Sequence, residues 1–290
     1  MTRRLRAALA SFALFEASAL RTARPHAQGV ISQRGVRSAP STHRPCAPWA
    51  TLGRGVSVRR CDGGRGHAAV LFSGWAITTT SARRWADALY DARLADLGVS
   101  TVYAVDGPAQ VDFRRKELAV DALLADLSAR VTAPDAWVLA AAHSSGAHVA
   151  ATLFDRAFRV GRAPSLRGRI VYVDLDGDRG IASDPERHLS RESVAGLRRV
   201  IFVAVADGAR GLHGFSRAAM EEGHREFSAE SLLVTYDASE AGCVRDACAH
   251  LALIDTRPTA RGNETYARGD ASTVNVTWLA FAARSLPAAR

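Results

Sequence analysis

The chain has 290 residues, 48% of them hydrophobic and 23% charged, with four Cys and a formal charge of +9. That composition excludes a disordered or collagen-like chain, and the length admits either two domains or one large α/β core. The charge is unevenly placed: residues 1 to 60 hold 11 Arg, no Lys and the single acid Glu16, whereas the rest of the chain holds 27 bases and 28 acids. The body of the protein is therefore nearly neutral, which argues against a nucleic-acid partner, and the basicity belongs to a leader. Arg replaces Lys everywhere except at Lys116, a coding bias rather than a preference for guanidinium chemistry.

The leader has three parts. Met1 to Arg6 is a positively charged start, Ala7 to Phe15 a short apolar run, and Ala17-Ser18-Ala19 supplies small residues in A-x-A order. This is the layout of a secretory signal peptide over residues 1–19, with Glu16 the one discordant residue; an organellar transit peptide or a basic tail has a similar composition. The apolar run is shorter than the about 20 residues of a transmembrane helix. Residues 20–60, rich in Arg, Pro, Ser and Gly and without periodicity, read as a linker or loosely attached arm. Cys46, Cys61, Cys243 and Cys248 permit two disulfides, which together with the leader favours a secreted or periplasmic protein; the alternative is four thiols in a cytoplasmic or organellar one.

From His67 onward, short apolar runs alternate with helical patterns. Ala68–Phe72 predicts a strand, and Ser81–Leu97 a helix with Trp85, Leu89, Leu94 and Leu97 on one face and Gly98 past its end. Val99–Val105 is the next strand, stopped by Asp106-Gly107-Pro108, followed by a helix over Lys116–Val131. Ala136–Ala142 predicts a strand and Ser145–Phe158 a helix; Ile170–Val173, Val200–Val205 and Leu232–Tyr236 predict three more strands, and Asn275–Ala283 a last helix. Runs that are apolar throughout indicate strands covered on both faces. The fold class expected is therefore α/β: one domain over residues 61–290 with a mostly parallel central sheet and helices on both faces.

At the end of one apolar run the sequence reads Ala142-His143-Ser144-Ser145-Gly146, directly before a helix. Small residues two before and two after a serine let a strand turn sharply into a helix and push the hydroxyl out above the sheet edge. The same turn aims the first helical amides at the site, among them that of Ser145. A bland reading of Ser-Ser-Gly is an N-cap before a close-packed helix. On this strand-turn-helix the chain resembles the α/β-hydrolase superfamily, with Ala142 standing where Gly is more usual.

The resemblance implies a nucleophile, an acid and a histidine in that chain order. Ser144 is then the nucleophile. His250, behind the loop that follows the last strand, is the general base, and a Cys243–Cys248 bridge would stiffen the loop that carries it. Asp207, at the end of the strand Val200–Val205, is the expected acid; Asp174 and Asp176, after the preceding strand, are the reserve. The Asp174, Asp176 and Asp178 spacing imitates a calcium loop, but it follows a strand and Pro185 stands where the closing Glu belongs, so no metal is expected. His143 and His148 lie too close to Ser144 in sequence to serve as the base, and His148 is expected to pack or cap. The oxyanion donors implied are the backbone amides of Ser145 and of Gly74 or Trp75.

These expectations describe a serine hydrolase, without metal or organic cofactor, that cleaves a small-molecule or lipid ester, or less readily an amide, through an acyl-enzyme. Acyl transfer by the same triad and a non-catalytic binding protein on the same scaffold are the alternatives.

Overall fold

A computed structural model describes residues 28–31, 45–74, 77–107, 116–177, 189–206, 217–241, 243, 246–256 and 271–287. Nine strands form one sheet: β1 (Gln28–Ile31), β2 (Ala50–Gly53), β3 (Val56–Arg60), β4 (His67–Phe72), β5 (Val99–Val105), β6 (Val138–His143), β7 (Ile170–Leu175), β8 (Arg199–Val205) and β9 (Ser231–Tyr236). Their order across the sheet is β1-β9-β8-β7-β6-β4-β5-β3-β2. Every neighbouring pair from β1 to β5 in that order is parallel, and only the β5–β3 and β3–β2 pairs are antiparallel. This is the expected α/β class with a mostly parallel sheet.

The described helices are α1 (Thr79–Leu89), α2 (Lys116–Arg130), α3 (Gly146–Phe154), α4 (Arg191–Gly196), α5 (Arg217–Glu226), α6 (Asp246–Leu251) and α7 (Leu279–Ser285). Alternate residues of each central strand feed opposite faces, as a period of two requires. Ala69, Leu71, Leu139 and Ala141 pack with Trp85 and Leu89 of α1, Ala249 of α6 and Leu279 of α7. Ala68, Val70, Phe72 and Ala140 pack with Leu123 of α2, Phe154 of α3, Val194 of α4 and Met220 of α5. Covered on both sides, the central strands carry long apolar runs, such as Ala68–Phe72 and Val200–Val205. The helix expected over Ser81–Leu97 ends its α part at Leu89 and continues through a π-helical turn over Tyr90–Leu94; Gly98 then reverses the chain at φ +80°.

Chain order and spatial order part company at β4, which lies between β5 on one side and β6 on the other. The connections leaving β4 and β6 thus diverge at the carboxyl ends of neighbouring strands, which opens a crevice there in sheets of this kind.

Part of the segment expected to be an arm is sheet. β3 pairs with β5 from Val56 opposite Val105 to Arg60 opposite Thr101, and β2 folds back on β3 through a turn with Gly55 at φ +74°. A Cys46–Cys61 disulfide closes the hairpin base, and Asp87 of α1 receives the Trp49 indole N–H at 3.0 Å and the Arg59 guanidinium at 2.5 Å. The Val56-Ser57-Val58 run behind a glycine turn carries the strand signal; the density of Arg and Pro around it masks that signal.

Candidate active site

β6 is buried along its whole length and ends at His143, and the chain then enters α3 within two residues. Ser144 occupies the left-handed region at φ +56°, which an L-residue with a Cβ occupies only at a cost of about 1–2 kcal/mol. Neighbouring structure holds it there. The Ser144 amide donates to the Leu175 carbonyl at 3.2 Å, and its carbonyl accepts the Ala147 amide at 3.1 Å. Gly146 is required by close approach: a Cβ there would lie 2.6 Å from the Phe72 carbonyl oxygen and 2.7 Å from that of Ser73. Ala142 is fully buried in the core, so the sheet accommodates its methyl group.

Leu175 is in register with His143, so the turn after β7 lies alongside the Ser144 turn. Asp176, also left-handed at φ +47°, is on that turn and donates its amide to the Val203 carbonyl at 3.0 Å. Its Oδ2 receives His250 Nδ1 at 2.6 Å; the carboxylate is 0% and the imidazole 5% exposed. His250 is brought there by α6, next to the Cys243–Cys248 disulfide. Its ring lies against that of His143, with centroids 4.3 Å apart, and its carbonyl accepts from His143 Nε2 at 3.1 Å. The residue preceding Ser144 thus touches the histidine that Asp176 holds.

Asp174, the penultimate residue of β7, braces the same turn. It accepts the Gly177 amide at 2.8 Å through Oδ1 and the Tyr172 hydroxyl at 3.2 Å through Oδ2. A Cβ at Gly177 would fall 2.1 Å from that Oδ1, so the turn admits only glycine without rearrangement. Burial pushes the Tyr172 hydroxyl well above its ordinary range, and the Asp174 charge adds to this. Burial also holds His143 well below the usual imidazole range, with the neighbouring His250 adding to the effect. His143 is therefore a neutral donor.

On the other side of the crevice, Ser73 and Gly74 follow β4. The Ser73 amide donates to the Val105 carbonyl, and the Gly74 carbonyl accepts the Ile77 amide at 3.2 Å. The start of α1 is tied down next to this loop. The Gly107 amide donates to the Ile77 carbonyl at 3.0 Å, and the Thr79 hydroxyl donates to Asp106 Oδ2 at 2.5 Å. Burial pushes the Asp106 carboxyl up, against the opposing Thr79 hydrogen bond and Arg83 charge.

Of the residues expected from sequence, Ser144, Ser145, Gly74, Asp176 and His250 lie on turns or a short helix beyond the carboxyl ends of β4, β6, β7 and β9, and Asp174 is the penultimate residue of β7. Asp207, Trp75, Asp178 and Pro185 lie outside the described residues. His148 is buried in α3, as a packing residue would be. Asp176 as the partner of His250 was the reserve expectation, because acids follow both β7 and β8 and local sequence does not rank them. The contact of His143 with His250 was not foreseen and carries no sequence signal. A cleft of about 300 Å³ opens at the opposite edge, beside the amino ends of β4, β5 and β6, lined by Arg65, His67, Asp96, Asp135 and Trp137 among others. It is remote from Ser144. Among the described residues no group of three or more His, Cys, Asp or Glu side chains could hold a metal ion, and no helix is long and apolar enough to cross a membrane.

No protein-family model matches the chain, and no curated protein matches it. Solved structures do. Carboxyl esterase 2 from the mycorrhizal fungus Tuber melanosporum aligns at 14% identity over 89% of this chain and 95% of its own, with a TM-score of 0.48. MGS-M1, an alpha/beta hydrolase enzyme from a Medee basin deep-sea metagenome library, aligns at 12% identity over 84% and 96%, with a TM-score of 0.48. Esterase B from Lactobacillus rhamnosis, inhibited by a tributyrin phosphonate, aligns at 13% identity over 92% and 94%, with a TM-score of 0.45. These three structures are two esterases and an α/β hydrolase, at identities and scores too low for any of their activities to be carried over.

Proposed function

We propose that the protein is a serine hydrolase that cleaves an ester through an acyl-enzyme, with Ser144 as nucleophile, His250 as general base and Asp176 as the acid that orients it. The observation that carries this reading is the juxtaposition of the left-handed Ser144 turn with a buried His250–Asp176 pair, joined through the His143 ring. A left-handed non-glycine residue at a strand-to-helix turn is costly, and such strain concentrates where function requires it.

The chemistry follows from the bonds. A carboxylate only accepts, so His250 carries its hydrogen on Nδ1 facing Asp176, and Nε2 is the ring nitrogen assigned to take the Ser144 proton. Ser144 Oγ then attacks the ester carbonyl carbon, and the imidazolium that forms is stabilised by Asp176. The tetrahedral oxyanion is assigned to the Ser145 amide at the start of α3 and to the main chain of the Gly74–Trp75 loop. Collapse expels the alcohol, which takes the proton from His250, and water, deprotonated in turn by His250, releases the acid. Asp176 takes the role expected of Asp207. The two disulfides and the signal-like leader support export.

The test is labelling with a fluorophosphonate probe, with the modified residue located by peptide mass. Labelling of the wild type at Ser144, lost in Ser144→Ala, supports the reading; a wild type that does not react, or a mutant that labels equally, overturns it. A series of p-nitrophenyl esters of increasing acyl length then defines the acyl pocket.

A further inference from the structure

Resting on that reading, we infer that His143 is a positioning residue for the base: its Nε2–H grips the main-chain carbonyl of His250 and fixes the imidazole relative to Ser144. His250 needs such a grip. It is on a six-residue helix, too short to be stable on its own, and near the end, where the last carbonyls of a helix lack partners within it. A single hydrogen bond, such as that from Nδ1 to Asp176, fixes one atom of a ring more tightly than its orientation. A second fixed point on the same residue removes this freedom, and His143 supplies it at 3.1 Å from β6, one residue before Ser144. Nucleophile and base are thereby referred to the same buried strand.

The chemistry of His143 suits the task. It is 1% exposed, and a carbonyl only accepts, so Nε2 carries the hydrogen. Held neutral by burial, His143 does not compete with His250 for the Ser144 proton, and it adds no second positive charge beside the imidazolium that forms during turnover. The grip therefore lasts through both halves of the proton cycle. A His143 that merely filled space beneath the turn would show no dependence on an Nε donor.

The experiment uses the full chain as wild type, His143→Gln, which keeps an amide donor at the ε position, and His143→Leu, which keeps bulk without one. kcat and KM are measured on p-nitrophenyl butyrate, and the downfield imidazole proton between His250 and Asp176 is followed by NMR. His143→Leu is expected to lower kcat about 100-fold with KM within about twofold, because a small misplacement of a catalytic group has that scale of effect. His143→Gln should recover most of the loss, and the shared-proton signal should persist in it and vanish in the Leu variant. Equal impairment of both variants, or wild-type kcat in His143→Leu, overturns the inference. If thermal melting shows that the Leu variant does not fold, His143→Asn replaces it: its donor stops short of the carbonyl, so activity equal to His143→Gln overturns the inference and a deficit supports it. A wild type whose Ser144 does not label sinks the hydrolase reading itself; the NMR comparison is independent of turnover and still decides whether His143 holds His250.

Discussion

His250 Nδ1 lies 2.6 Å from Asp176 Oδ2, both groups buried, at the carboxyl edge of the sheet. With this carboxylate as the orienting acid, Asp176→Asn should retain the fold but lower kcat by about 10⁴, the scale seen when a triad imidazole is held in the wrong tautomer. Asp207→Asn should stay within a few-fold of wild type. Steady-state hydrolysis of a short p-nitrophenyl ester separates the two, and the reverse ranking would return the role to Asp207.

In the proposed mechanism Ser144 couples strain to chemistry. Ser144→Gly relieves the cost of φ +56° and should raise the unfolding free energy by about 1 kcal/mol while abolishing turnover. Ser144→Ala keeps the strain and should lose about 10⁶ in kcat. Urea unfolding of both variants checks this; a glycine variant less stable than wild type would contradict it.

Gly146 keeps α3 tight beneath the end of β4. Gly146→Ala drives a methyl group into the carbonyl oxygens of Phe72 and Ser73, and should cost about 1–3 kcal/mol. Because Ser73 leads into the Gly74 loop, ester hydrolysis should fall as well. Thermal melts and kinetics on the same preparation test both effects.

The hairpin before β4 belongs to the folded body. Removing the Cys46–Cys61 bridge, which spans 15 residues, by a double Cys→Ser substitution should cost about 3 kcal/mol. Starting the chain at residue 61 deletes β1, β2 and β3 and uncovers β9 and β5 as edge strands, and that truncation should aggregate. A soluble, active truncation would show that the hairpin is dispensable.

Acid should weaken the protein partly through His67, which is buried against Trp137 at a centroid distance of 4.3 Å. Burial holds its imidazole below the ordinary range, with Asp135 opposing and Arg65 assisting. The unfolded chain therefore binds a proton that the folded chain refuses: the stabilisation is complete above the unfolded value of about 6.5 and is lost as pH falls from there through the lowered folded value. His143 contributes with the same sign. His67→Phe keeps the stacking and should flatten the slope of unfolding free energy against pH by up to about 1.4 kcal/mol per unit below pH 6.5. An unchanged slope would exclude His67 as a source.

Much of this protein was determined by sequence alone. Uninterrupted apolar runs such as Ala136–Ala142 and Val200–Val205 demand cover on both faces, so strand positions and the α/β class follow from local composition, and the small-x-Ser-x-Gly spacing located the Ser144 turn because that turn's constraints are local and steric. Tertiary structure decided what depends on residues far apart. The hairpin at residues 50–60 was hidden because its partner, β5, lies some 45 residues away and its Arg59 and Arg60 find their carboxylate partners, Asp87 and Asp126, on distant helices. That Asp176 bonds His250 depends on β7 lying beside β6 in the sheet, an order that local sequence does not reveal. The His143–His250 contact bridges 107 residues, so it is set by where α6 packs against the end of β6 rather than by any pattern along the chain.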